Sequence, residues 1–258
     1  MSTSTVPAAA SGTFIIGGDL AVHRIGFGTM QLTGAGHWGP PRDPDNAIKV
    51  LRRAADLGVN HFDTADAYGP AVAEDLLRQA LHPYPDNLVI ATKGGMTRQG
   101  PNQWTPVGRP AYLRQCLEMS LRRLGRDTID LYYLHRIDDQ VPLDDQIGTL
   151  AQLREQGKIR HVGISKTTIN QIQSAQKITP IAAVQNRFNL ADDGNRPVLD
   201  YCTDNEIAFV PYAPLAAGRK SLNPGTALTW LLEQSPVVLP IPGTANLIHL
   251  EENVSPAR

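Results

Sequence analysis

Four side chains able to move or hold a proton fall just past the ends of three short apolar runs. Asp63 and Tyr68 lie in His61-Phe62-Asp63-Thr64-Ala65-Asp66-Ala67-Tyr68-Gly69, Lys93 in Ala91-Thr92-Lys93-Gly94-Gly95, and His135 in Tyr133-Leu134-His135-Arg136. Together these types suit the reduction of a carbonyl group. Hydride arriving at the carbonyl carbon leaves an alkoxide, which an acid must protonate. A free phenol, with a pKa of about 10, is a poor acid at neutral pH. A neighbouring ammonium favours the phenolate and so eases proton donation. An aspartate keeps that ammonium charged and in place, while a histidine orients the carbonyl oxygen or shares the proton. The reading assigns these roles to Tyr68, Lys93, Asp63 and His135.

Taken singly, each residue has a plainer reading. Asp63 suits a structural cap, Lys93 a solvated loop charge, His135 a satisfied core histidine, and Tyr68 the packing of the turn at Gly69-Pro70. Their joint placement at successive strand ends is what favours chemistry.

The elements that must position them form a regular alternation. Strands are predicted at 24–29, 59–63, 88–92, 129–134, 160–164, 181–185, 207–212 and 237–241. These runs are continuously apolar, as when both faces of a parallel sheet are covered. The first helix opens at Asp43-Pro44, a cap followed by proline at the first helical position. Ile48, Leu51, Ala54, Ala55 and Leu57 then recur with helical spacing until Gly58 closes it. Further helices are predicted at 110–124, 143–156, 226–234 and 246–254, with fainter patterns at 170–177 and 196–205. A hairpin is predicted within 13–22, around Gly17-Gly18-Asp19. Residues 1–12 read as a disordered tail, leaving 13–258 as one domain.

Eight such units fit either a closed barrel or a doubly wound sheet. Gly26-Phe27-Gly28 offers only the first two glycines of a dinucleotide fingerprint, with Gln31 at the third position and no helix opening there. We therefore expect a (β/α)₈ TIM barrel with an N-terminal hairpin, its site built from the C-terminal strand ends. The 258 residues suit one such barrel, which typically takes roughly 250. A formal net charge of −1, with 19% charged residues, offers no basic footprint for nucleic acid and no charged membrane face. No apolar run nears the ~20 residues that span a bilayer. The only cysteines, Cys116 and Cys202, form no paired or metal-spaced set, which favours a reducing compartment. A cytoplasmic protein is expected, and a monomer, since no heptad run or apolar stripe appears.

Longer stretches carry a family resemblance. Residues 63–69, Asp-Thr-Ala-Asp-Ala-Tyr-Gly, resemble a motif of the aldo-keto reductases. So do the segments 120–125 and 130–136, Gly157 to Ser165, Val184-Gln185-Asn186, Pro211 to Leu215, and Ile241-Pro242-Gly243-Thr244 with Glu252-Asn253. These segments follow the family order from about Thr13 to Asn253. The resemblance implies an oxidoreductase that passes hydride between NADPH, with NADH as the alternative, and an aldehyde or ketone. It implies that Ser165 and Gln185 hold the nicotinamide carboxamide, that Tyr212 stacks on the ring, and that Leu215 lies near the pyrophosphate. Gly28, Thr29 and Met30 would meet the nicotinamide ribose beside Asp63. Thr244, Asn246, Glu252 and Asn253 would hold the adenosine end, the last two one turn beyond His249 on a shared helical face.

Several positions depart from the family pattern. Lys166 stands where the family often has asparagine. Gly243 and His249 stand where well-known members carry lysine and arginine against the 2′-phosphate, so phosphate binding through Thr244, Asn246 and His249 is expected to be weaker. The stretch 216–225 is shorter than the family's loop, and the usual segment after Asn253 is missing, which predicts faster cofactor release. The segment from Gln31 to Asp43 resembles a bacterial subgroup that includes pyridoxal reductases, with Trp38 and Trp104 as candidate pocket walls. Two other readings stay open. One is a nicotinamide-binding accessory subunit on the same barrel. The other is a metal-dependent hydrolase, prompted by His61 and Asp63 two apart on one strand face, for which the remaining histidines complete no ligand set.

Overall fold

The structure is a computed structural model that describes residues 7–215 and 223–255. It opens with a 3-10 turn over Pro7–Ser11 and an antiparallel pair, β1 (Thr13–Ile16) and β2 (Leu20–His23). Next come β3 (Phe27–Gly28), α1 (Pro44–Asp56), β4 (His61–Asp63), α2 (Val72–Leu81) and β5 (Val89–Gly94). A second hairpin, β6 (Met96–Gly100) and β7 (Gln103–Pro106), precedes α3 (Pro110–Leu124). The alternation resumes with β8 (Ile129–Leu134), α4 (Leu143–Glu155), β9 (Ile159–Ser165), α5 (Ile169–Gln176) and β10 (Ile181–Gln185). It ends with α6 (Arg196–Asp204), β11 (Ala208–Phe209), α7 (Pro224–Gln234) and α8 (Leu247–Val254).

The parallel strands pair in the order β3-β4-β5-β8-β9-β10-β11. The run at 237–241, expected as the eighth strand, closes the ring without becoming a regular one. Phe209 N donates to Val237 O and Leu239 N to Phe209 O, both at 2.8 Å. On the other side Gly26 N donates to Pro240 O at 3.0 Å and Gly28 N to Pro242 O at 3.4 Å. Pro240 and Pro242 have no N–H to return, so a full ladder cannot form along this junction. The result is a (β/α)₈ barrel.

Period-two alternation sorts the side chains. Val89, Ala91, Leu131 and Tyr133 fill the interior, joined by Ile16, Leu20 and Val22 of the first hairpin. That hairpin caps the N-terminal strand ends, where Asp19 meets Arg160 and His161 at the start of β9. The other strand face, with Phe62, Ile90, Tyr132 and Val184, packs against the helices in one large cluster.

Two local differences from expectation have clear causes. Disorder over 1–12 does not hold from Pro7 onward: Ala8 is fully buried and its N–H donates to Leu57 O at 3.0 Å. The faint helix at 170–177 is well formed as α5, because Thr168 and Gln171 make a reciprocal capping box. The short stretch at 216–225 lies outside the described residues up to 222, beyond which Asn223 caps α7. Among the described residues no helix is long and apolar enough to cross a membrane.

Candidate active site

Strand register brings three of the four chemical side chains onto the barrel axis. Asp63 ends β4 opposite Ala91, and Lys93 sits two residues beyond Ala91 on the same inward face of β5. Lys93 in turn pairs with Tyr133, and His135 lies two residues past that tyrosine, its N–H donating to Gly94 O. Tyr68 comes from the loop after β4. This loop is pinned by Asp66 N donating to Lys93 O, Tyr68 N to Ala65 O, and Ala73 N to Tyr68 O.

Lys93 is the hub. Its Nζ donates to Asp63 Oδ1 at 2.5 Å, to Thr64 O at 2.8 Å and to the Tyr68 hydroxyl at 3.3 Å, and the side chain is wholly buried. Burial alone would lower the Lys93 pKa, but the Asp63 carboxylate and the Tyr68 hydroxyl more than offset it, so the ammonium is held charged. For Tyr68 the expected lowering by the ammonium is present yet outweighed: burial leaves its pKa above the usual value. The phenol therefore stays protonated, with Lys93 placed to stabilise it as the proton leaves. His135 is driven well below its ordinary pKa by burial and by Lys93, Arg136 and Lys166. A neutral imidazole can orient a carbonyl oxygen. Its ring packs edge-on against Tyr68, with centroids 5.8 Å apart.

His61 is buried and neutral, its pKa lowered to about 4 by burial. Asp63 spends its oxygens on Lys93 and on Gln185 Nε2 at 2.8 Å. Among the described residues no three His, Cys, Asp or Glu side chains are grouped to hold a metal.

A cleft of about 690 Å³ opens beside these residues. Of the expected cofactor residues, Gly28, Met30, Asp63, Gln185, Tyr212, Leu215, Gly243 and Thr244 line it. Thr29 is buried behind them, and Ser165, also buried, donates through Oγ to Gln185 O while accepting from Arg136 Nη1. Thr244 Oγ1 accepts from Asn246 N, and Asn246 Oδ1 accepts from the N–H groups of Ile248 and His249, so both residues build the N-terminus of α8. The shared face expected of His249, Glu252 and Asn253 divides: the first two are exposed, while Asn253 is buried beside Val254. Among the described residues Asn253 Oδ1 has no hydrogen-bond partner.

The sequence profile of the aldo/keto reductase family matches residues 24–223. The chain belongs to this family. An oxidoreductase of Schizosaccharomyces pombe is 48% identical over 99% of this chain and 88% of its own. A pyridoxine 4-dehydrogenase of Escherichia coli is 40% identical over 95% of this chain and 93% of its own. A solved aldo-keto reductase from Klebsiella pneumoniae, in complex with NADPH, superposes with a TM-score of 0.78 at 26% identity, over 94% and 88% of the two chains.

Two features of this aldo-keto reductase were not singled out from its sequence. Arg98 of β6 stacks on Trp104 at 3.5 Å and donates to five carbonyl oxygens, those of Gly36, His37, Ala67, Gly100 and Gln103. It thereby ties the loop after β3, the Tyr68 loop and the second hairpin together, and sets Trp104 against both Tyr68 and His135. Behind the Tyr68 loop, Asp66 faces a second hollow of about 320 Å³ with Tyr112, Cys116 and Arg123. Burial, with Glu74 nearby, raises its pKa to about 7. An arginine within a polar stretch gives no sequence signal. Asp66, lying within the family-like motif, could have been flagged.

Proposed function

We propose that this chain is an NADPH-dependent reductase of aldehydes and ketones, with pyridoxal among its substrates and Tyr68 as the proton donor. The observation that carries the proposal is the Lys93 ammonium, held between Asp63 and the Tyr68 hydroxyl at the C-terminal end of a barrel. The residues present fit a nicotinamide dinucleotide: the cleft is lined by the Tyr212 ring, the Gln185 amide and Thr244, and is large enough to hold an extended molecule. NADPH is supported by the cofactor of the Klebsiella relative, and pyridoxal by the likeness to pyridoxine 4-dehydrogenase.

When bound, the cofactor supplies the hydride. Ser165 and Gln185 would hold its carboxamide, Tyr212 would back the ring, and Gly28, Thr29 and Met30 would meet the ribose. Leu215 would lie by the pyrophosphate, while Gly243, Thr244, Asn246, His249, Glu252 and Asn253 would form the adenosine end. The neutral His135 ring orients the carbonyl oxygen. The Tyr68 hydroxyl gives its proton to that oxygen, and Lys93, fixed by Asp63, stabilises the phenolate left behind. An accessory protein that only binds nicotinamide would need no such proton donor.

The test is NADPH consumption with pyridoxal and a panel of aldehydes. Turnover should fall roughly 10²–10⁴-fold in Tyr68→Phe with cofactor affinity kept. No consumption with pyridoxal removes that substrate from the proposal, and undiminished turnover in Tyr68→Phe removes the mechanism. The enzyme is further proposed to act in the cytoplasm as a monomeric, single-domain protein.

A further inference from the structure

We infer that His37 is a specificity-determining residue, whose bare Nε2 accepts a hydrogen bond from a hydroxyl group on the carbonyl substrate. The inference rests on the reductase reading above and adds a substrate class: aldehydes that carry a hydroxyl. His37 lies in the loop after β3 and lines the same cleft as Tyr68. Its backbone is left-handed, at φ 55, a conformation uncommon for a residue other than glycine though less so for histidine. Such strain persists only where surroundings enforce it. Here they do: the His37 carbonyl accepts from Gly69 N at 3.2 Å and from Arg98 Nη1 at 2.8 Å.

The ring is oriented as firmly. Nδ1 lies 3.3 Å from Met30 O, and since a carbonyl oxygen only accepts, the ring proton sits on Nδ1. Burial, reinforced by Arg98, lowers the His37 pKa and keeps the imidazole neutral. Nε2 is therefore a lone-pair acceptor, and among the described residues nothing pairs with it. The Trp104 ring, with its centroid 6.2 Å from that of His37, packs close to Tyr68 and His135 and so ties His37 to the reacting end of the cleft. Tyr68 and His135 address the reacting oxygen, and His37 addresses a second polar group. Pyridoxal, with hydroxyls on its ring system, is one compound of this class.

The test compares 2-, 3- and 4-hydroxybenzaldehyde with the matching methylbenzaldehydes, which are nearly isosteric. The ratio of kcat/KM within each pair is measured in the wild type, in His37→Asn and in His37→Gln. Asparagine tolerates the left-handed backbone but reaches only the Nδ1 position, whereas glutamine can place an amide oxygen near Nε2. For at least one pair the hydroxyl preference should fall about tenfold in His37→Asn, the worth of roughly one hydrogen bond, and return in part in His37→Gln. Comparing ratios between variants cancels the intrinsic reactivity of each aldehyde. An unchanged ratio for every pair in His37→Asn, with turnover retained, overturns this inference and leaves the reductase reading standing. Failure of all six aldehydes with the wild type overturns both.

Discussion

Gln185 Nε2 lies 2.8 Å from Asp63 Oδ2, joining side chains at the ends of β10 and β4 across the barrel interior. With Oδ1 on Lys93, the carboxylate is held from two sides, and Lys93 is held in turn. A residue that the family likeness assigns to the cofactor thus also fixes the group that fixes the lysine.

Gln185→Leu should therefore do more than weaken cofactor binding. It leaves one oxygen of a buried carboxylate unpaired, which costs about 1–3 kcal/mol. Thermal melting and NADPH titration should show both a lower Tm and a higher Kd. A higher Kd at unchanged Tm would separate Gln185 from the Asp63–Lys93 pair.

Lys93→Met removes one partner of a buried ion pair and leaves Asp63 charged and uncompensated, a loss of about 3–5 kcal/mol. The double variant Asp63→Asn, Lys93→Met should recover most of that stability and none of the turnover. Chemical denaturation and steady-state rates on the three proteins decide this, and a double variant no more stable than the single one contradicts the pairing.

Asp66 gives a stability signature that depends on pH. Its pKa is raised to about 7 in the folded chain, above the ordinary 3.8. The folded state thus binds the proton more tightly, so this group's contribution to stability is full below about pH 4 and declines as the pH rises through about 7. Asp66→Asn, which stays neutral, should gain in Tm over the wild type at about pH 8 and match it near about pH 4. A gain that is equal at both pH values would contradict the shift.

Restoring the family's lysine at position 243 should not tighten NADPH binding in this chain. A Cβ on Gly243 would lie 2.4 Å from Gly28 O, and one on Gly28 would lie 2.7 Å from Ile241 O, so these backbones pass too close for side chains. Gly243→Lys is expected to lower Tm and loosen NADPH. Tighter binding at unchanged Tm would show that the loop can give way.

The convergence of Asp63, Lys93 and His135 was legible because continuous apolar runs mark the strands that carry them. The continuous apolar runs at 129–134 and 181–185 fall on the same residues as β8 and β10, and the residues just past such runs are bound to converge in a barrel. What stayed hidden depends on tertiary contacts. The second hairpin is made of residues such as Thr97, Arg98 and Gln99, which show no apolar alternation, and the Arg98 fork holds it in place. Helix α2 starts from Ala71 in a left-handed conformation with no side-chain cap, so its beginning carries no signal. The run at 237–241 reads as a strand by its apolarity, while its prolines decide that the ladder stays incomplete. His37 owes its importance to a backbone angle and to one arginine distant in the chain, neither of which its neighbours in sequence disclose.

That incomplete ladder has a mechanical meaning. A barrel is a strip of sheet bent until its edges touch, and here the edges meet at a seam where Gly26 and Gly28 donate to Pro240 and Pro242 and the prolines have no N–H to return. The cleft runs beside this seam, with Gly28 on one bank and Ile241 to Thr244 on the other. Any molecule lying along the cleft while gripping both banks would act as a staple, adding contacts where the ladder itself has few.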